Sequence, residues 1–321
     1  MERVIRLGML AGVVTLVATH AGAFTVSNAT LNVTCMDSEE TSANAPGFAW
    51  DNISTAPALT LTATSSLPAA DEGYALVAIP WSFNYLGTGY TSVSACANGY
   101  LQFGGTGSDL SNDTVPSVNA PNNIAAVFWD DLDGAALTSP VTPAGSIRSQ
   151  VLGLAPNRRL VISWISWRRW AQPTTSFTFQ AALFEQGNAI RFQYQTMSSG
   201  TSTTPYGSGA STTIGIENAA ATQGIQYLYG TTATSPTYTP AGNSVYNGLA
   251  VGFFATGTTP PWVAAPPPPP PPPGGGGTPA SQGSDDDDRT HRLCGGGAAA
   301  GAGLAGLALA FAMLLGLAAR R

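Results

Sequence analysis

SFTFQAALFEQGNAIRFQY, residues Ser176–Tyr194, is the stretch whose reading decides the fold. Two runs rich in aromatic and aliphatic residues, Ser176–Phe184 and Ala189–Tyr194, flank Glu185-Gln186-Gly187-Asn188. A short Gly/Asn-containing connection between two such runs is the signature of a β-hairpin. The same pattern repeats on both sides. Upstream, Ser146–Leu152 and Arg158–Trp167 flank a Gly-Leu-Ala-Pro-Asn connection, and Thr91–Phe103 is broken at Asn98-Gly99. Tyr74–Phe83 opens the regular part, and Thr212–Glu217, Gly224–Tyr229 and Ser244–Phe254 complete it. Ile124–Trp129 is apolar at every position, as a central strand covered on both faces requires. No segment from Phe24 to Pro260 sustains apolar residues at i, i+3, i+4 and i+7, so helices should be scarce. The expectation is an all-β, antiparallel β-sandwich over residues 74–259. Residues 24–73 show little period and are expected to pack on it as an extension, adding an edge strand or a covering loop.

Composition agrees. Only 9% of the residues are charged, against 37 Gly and 24 Pro, which fits many short strands joined by turns. Between Phe24 and Thr259 six arginines face thirteen carboxylates, and the chain has no lysine. Nucleic-acid binding rests on Lys and Arg contacts to phosphate, so this acidic balance argues against it. Cys35 and Cys96 are the cysteines of this region. In an exported protein they are expected to form a disulfide, which would close a loop of about 60 residues and stabilise the fold by roughly 4 kcal/mol. The alternative is two buried free thiols. The NxS/T triplets at Asn28, Asn32, Asn52 and Asn112 are read as chance in a Ser/Thr-rich chain.

The ends read as processing and anchoring segments. Arg3 and Arg6 precede the apolar run Leu7–Val17, and Ala21-Gly22-Ala23 is a small-x-small site, so residues 1–23 are expected to be a signal peptide cleaved after Ala23. Residues 260–293 are expected to be a disordered linker. Its proline run, Pro266–Pro273, would span about 25 Å in polyproline II, and Gly274–Gly277 and the acidic Asp285–Asp288 follow. Residues 294–321 hold Cys294-Gly295-Gly296-Gly297, a long uncharged apolar stretch and Arg320-Arg321. This stretch is long enough to cross a bilayer, with the arginines on the cytoplasmic side. It resembles the bacterial tripartite sorting signals of the MYXO-CTERM and GlyGly-CTERM types. The resemblance implies that the helix is removed by an intramembrane protease and that Cys294 carries a lipid. A permanent single-pass anchor is the alternative. Either way the membrane, through helix or lipid, is an expected partner.

Little catalytic chemistry survives inspection. The histidines are His20, within the signal peptide, and His291, within the linker, so Ser-His-Asp, Cys-His and histidine-bearing zinc sites are excluded from the folded region. The remaining feature of note is AVFWDDLDG, where Asp130, Asp131 and Asp133 follow the apolar run directly. With Asn122 and Asn123 they offer hard oxygen ligands for calcium. The competing reading, which we favour, is a strand leaving the core with its carboxylates hydrogen-bonded or paired with Arg148 or Arg191. The spacing fits no EF-hand. A glycosidase pair at Asp131 and Asp133 satisfies strand geometry, but nothing in the sequence marks either as an acid with a raised pKa. In RRLVISWISWRRW, Trp164 reads as core, while Trp167, Trp170, Arg168 and Arg169 are candidate contacts for a sugar ring or a partner surface.

Four stretches in order, NNIAAVFWDDLDG at Asn122–Gly134, LVISWISW at Leu160–Trp167, the Ser176–Tyr194 hairpin and TIGIENA at Thr213–Ala219, resemble the nidogen-type (NIDO) extracellular domain. ACANGYLQFGG at Ala95–Gly105 has its counterpart in the related bacterial module. The resemblance spans about Tyr74–Thr256 and implies an extracellular adhesion or matrix-contact role without catalytic residues. The expected function is therefore a non-catalytic, surface-anchored binding or adhesion module, with a glycan or a surface protein as ligand and no cofactor beyond a calcium ion. A structural envelope protein is the alternative, and a carboxylate-only secreted hydrolase comes third.

Overall fold

The computed structural model describes residues 23–230 and 243–263. The signal-peptide core, Cys294 and the C-terminal apolar stretch lie outside the described residues. Among those described, no helix is long and apolar enough to cross a membrane.

Seventeen strands follow one another among the described residues. They are β1 (Thr25–Asn28), β2 (Val33–Asp37), β3 (Thr62–Ala63), β4 (Gly73–Tyr85), β5 (Thr88–Cys96) and β6 (Tyr100–Gln102). Next come β7 (Ile124–Trp129), β8 (Leu132–Asp133), β9 (Leu137–Thr138), β10 (Val141–Thr142), β11 (Ser146–Leu152) and β12 (Arg159–Arg169). The last are β13 (Ser176–Phe184), β14 (Ile190–Ser198), β15 (Thr213–Glu217), β16 (Gly224–Tyr229) and β17 (Ala250–Ala255). Two short 3-10 turns, Gln186–Asn188 and Tyr206–Ser208, complete the described regular structure.

The strands form two large antiparallel sheets. The first has the order β1-β2-β17-β14-β13-β12-β11, with β8 added beside β12; the second runs β16-β15-β7-β6-β5-β4-β3. Alternation along each strand sends one side-chain row into the space between the sheets. Phe177, Phe179 and Phe192 of the first sheet meet Val77, Val93 and Val127 of the second there. Buried hydrogen bonds also cross the gap, and Tyr227 Oη donating to Asp37 Oδ2 at 3.0 Å is one of them. Tyr194 Oη donates to the Val127 carbonyl at 2.6 Å, and Trp164 Nε1 donates to the Cys96 carbonyl at 2.8 Å. These polar tips are thus satisfied inside an apolar core, as buried Tyr and Trp require.

β7 is buried at every residue because both of its faces are covered. Its inner face meets the first sheet. Its outer face, with Cys96 and Tyr100, lies in a second cluster that includes Val115 of the loop after β6. The outer face of the first sheet is covered too, by residues 44–59, which we call the strap. Ile53 and Ala56 of the strap pack with Val161, Ala182 and Phe184.

β12 departs from simple alternation. Trp164 lies opposite Phe179 and Trp167 opposite Phe177, so Ile165 and Ser166 together face Thr178 alone. This β-bulge inserts one residue and shifts the side-chain phase. Trp164 and Trp167, three positions apart, would otherwise face opposite ways; the bulge turns both into the core. Trp167 is therefore not the surface residue its spacing suggested. A buried Trp contributes about 3–5 kcal/mol relative to alanine.

Two further expectations are corrected. Cys35 and Cys96 are free thiols. Cys35, on β2, faces the space between the sheets, whereas Cys96, at the end of β5, packs in the cluster on the outer face of the other sheet. Burial raises the pKa of both, that of Cys96 to about 12, so neither is poised as a thiolate. The extension from Phe24 supplies β1 at the edge of the first sheet and β2 between β1 and β17. Finally, the linker does not begin at Pro260. Trp262 stacks edge-on against Phe254 and Phe184 and donates to the Asn44 carbonyl at 3.0 Å. Its indole occupies the space that a Cβ on Gly252 would need, 2.6 Å away.

Candidate functional site: an acidic end of the sandwich

The acidic site is assembled where β7 leaves the core. Asn98 and Gly99, in the turn between β5 and β6, fix this exit. The Gly99 carbonyl accepts the Val127 and Phe128 amides at 3.1 and 2.9 Å, and Gly99 adopts φ 79°. A Cβ there would lie 2.1 Å from the Phe128 carbonyl oxygen, so only glycine fits. Asn98 is fully buried; its Oδ1 accepts the Leu132 amide at 2.8 Å, and its Nδ2 lies 3.1 and 3.2 Å from the two Glu72 oxygens. One asparagine thereby joins the segment before β4 to the segment after β7.

The three aspartates of the exit take separate roles. Asp130 is 2% exposed. It accepts hydrogen bonds from Ser211 Oγ at 2.5 Å and Thr212 Oγ1 at 3.3 Å, and it pairs with Arg169 Nε at 3.7 Å, too long for a hydrogen bond. Burial raises its pKa to about 6 despite these partners. Asp133 accepts from Arg168 Nη2 and from the Ala135 amide, the latter at 2.7 Å. Asp131 remains least compensated, its carboxylate having only Arg169 Nη1, at 4.0 Å, as a partner among the described residues. The trio therefore does not converge on one point.

Asp131 converges instead with Asp71 and Glu72: one carboxylate oxygen from each lies within 4.8 Å of the others. Glu72 is buried and also accepts from Ser108 Oγ at 2.6 Å. Asp71 has its pKa raised to about 6, first by burial and then by the charges of Asp133, Glu72 and Asp131. Asp131 is raised by burial, opposed by Arg169. Five carboxylates thus share two guanidiniums, those of Arg168 and Arg169. If a divalent cation enters this end, Asp71, Glu72 and Asp131 are the residues placed to hold it.

The expected contact residues divide likewise. Arg168 is buried, bonded to Asp133 and to the Ala135 carbonyl, and so is not a surface contact. Arg169 lies over the Tyr206 ring at 5.2 Å. Trp170 is the aromatic that reaches solvent, 51% exposed, and its amide donates to the Asp131 carbonyl at 2.8 Å. Asn122 and Asn123 sit before β7, at the end remote from the aspartates, where Asn123 Nδ2 donates to Tyr90 and to the Phe103 carbonyl. Arg148 and Arg191 do not pair with the aspartates either. Arg148 donates to the Ala56 carbonyl, and Arg191 lies over the Phe184 ring, with its pKa lowered to about 10 by burial.

The NIDO-related family model matches residues 41–255, more than half of the chain. The chain belongs to this family. The match starts well before β4, so the strap is part of the NIDO-related unit rather than an addition to it. No curated protein and no solved structure matches the chain. A NIDO-related domain fits a non-enzymatic extracellular binding module.

The crowded carboxylates give the NIDO-related domain a defined pH response. Asp71 and Asp130 hold protons in the folded form up to about pH 6, whereas unfolded Asp releases them near pH ~4. Each contributes stability that is fully present below the unfolded pKa and lost as pH rises through the folded one. The melting temperature should therefore be higher at pH 5 than at pH 7.5, and Asp71→Asn should narrow the difference. A melting temperature that rises over this interval in the unaltered protein would contradict the assignment.

Proposed function

We propose that the chain is an exported, surface-held, non-catalytic adhesion module that uses its acidic end to contact a basic surface on another protein. The observation that carries this reading is an exposed Trp170 beside under-compensated carboxylates. Aromatic residues are enriched at protein interfaces, and charge of one sign selects and steers a partner of the other. The arrangement of the carboxylates supports a non-catalytic role: Asp130 and Asp133 are already engaged by hydroxyls, amides and arginine. The signal-like start and the sorting-like end belong to the same proposal and would hold the domain outside the cell, at the membrane. An array of surface and matrix proteins probed with the purified domain tests the reading. Retention of a basic partner is expected, weakened as salt is raised and reduced at least tenfold by Trp170→Ala. Retention indifferent to both would overturn it.

A second reading adds calcium to the same end, favoured by the convergence of Asp71, Glu72 and Asp131. Oxygen-only ligands of this kind suit a hard cation. Millimolar calcium should then raise the melting temperature by several degrees, a chelator should reverse the rise, and Asp71→Asn should abolish it. An unchanged melting temperature removes calcium and leaves the protein contact standing.

A further inference from the structure

The outer face of the first sheet carries a concavity, unlike the acidic end in kind because none of its lining residues is charged. It is a groove of about 260 Å³ lined by Trp50 and Asn52 of the strap and by Ser163, Ile165, Thr178 and Gln195 of the sheet. We propose that this groove binds a neutral glycan, one or two sugar units being seated against Trp50.

Two bulges shape the groove. On one side of Thr178, Ile165 and Ser166 of β12 are the doubled residues of the bulge described above. On the other side, Thr178 pairs with Thr196 and Phe179 with Tyr194, leaving Gln195 of β14 as an inserted residue. Bulges in adjacent strands thus flank a single residue. Each re-aims its extra side chain and increases local twist, a device found next to functional sites. The Ser166 amide, released from the ladder, donates to Thr178 Oγ1 at 3.1 Å.

The strap supplies the aromatic wall. Phe48 and Trp50 stack with ring centroids 6.3 Å apart and planes 23° from parallel, and Phe48 is 40% exposed. Both are held by the residues between and after them. The Ala49 amide donates to Gln193 Oε1 at 2.7 Å, and Asp51 accepts Arg159 Nε at 2.8 Å. A fixed aromatic shelf costs little conformational entropy when a flat, apolar sugar face is laid on it.

Amides and hydroxyls complete the lining. Trp50, Asn52 and Gln195 line the groove, and the Trp50 indole NH, Asn52 Nδ2 and the Gln195 side-chain amide have no hydrogen-bond partner among the described residues. Asn52 Oδ1 is occupied by the Ser54 amide at 3.1 Å, which orients its free NH2. Concave sites that combine an aromatic surface with a few convergent uncharged polar groups fit polyhydroxylated ligands, whose hydroxyls both donate and accept. An anionic sugar gains nothing here from a cation.

An array of neutral oligosaccharides, followed by calorimetric titration with the best-retained hexasaccharide, tests the proposal on the purified domain. Binding is expected, and Trp50→Ala and Gln195→Ala should each weaken it at least tenfold. Gln195→Ala is the safer variant because the residue is exposed, and its melting temperature should match that of the unaltered protein. Trp170→Ala and Asp71→Asn should leave sugar binding unchanged, so failure of the acidic-end reading is separable from failure of this one. Retention of no neutral oligosaccharide, or binding that survives both groove substitutions, would overturn the proposal.

Discussion

One inserted residue in β12 organises much of what is distinctive in this molecule. The bulge at Ile165–Ser166 resets the alternation of β12, which pairs with β11 and β13 in the first sheet and with β8 beyond the bulge. Before it, Trp164 faces the core and reaches the Cys96 carbonyl; after it, Trp167 faces the core as well. The phase reset then delivers Arg168 and Arg169 to β8, opposite Asp133 and Leu132. Without it, the two guanidiniums would exchange faces. The pairing of Arg168 with Asp133 and of Arg169 with Asp130 is therefore a consequence of register, not of sequence proximity.

The same bulge acts on the other side of the sheet. Beside it, Thr178 is bracketed by a second inserted residue, Gln195, and the sheet surface is hollowed under the strap. The acidic end and the uncharged groove are thus two outcomes of one local irregularity. Each presents an exposed or half-buried tryptophan on a rigid neighbour: Trp170 just past the end of β12, and Trp50 on a strap pinned by Gln193 and Arg159. A domain built in this way can offer two chemically different surfaces, one anionic and one neutral.

Much of the fold was legible in the sequence because alternation and turn residues act locally. The runs Ile124–Trp129, Ser146–Leu152, Ser176–Phe184 and Gly224–Tyr229 are strands with those bounds. What escaped was everything that depends on a distant partner. β1 and β2 are short and partly exposed, and β2 belongs to the sheet only through its pairing with β17, more than two hundred residues away. Asp71 and Glu72 meet Asp131 through Asn98, and no spacing rule links them. The bulge left no signature beyond two tryptophans three apart. Cys35 and Cys96 show the converse: compartment favoured a bond, yet the two residues belong to different sheets and pack in separate clusters.

The pairing of β12 with β13 carries the account, and nuclear Overhauser contacts between the two strands measure it directly. The account predicts that the backbone protons of Trp164 lie opposite Phe179 and those of Trp167 opposite Phe177, with Ile165 and Ser166 sharing Thr178. Unbroken pairing, with Ile165 opposite Thr178 and Ser166 opposite Phe177, would contradict it. Trp167 would then be turned out of the core, and neither the arginine pairs nor the groove would be built as described.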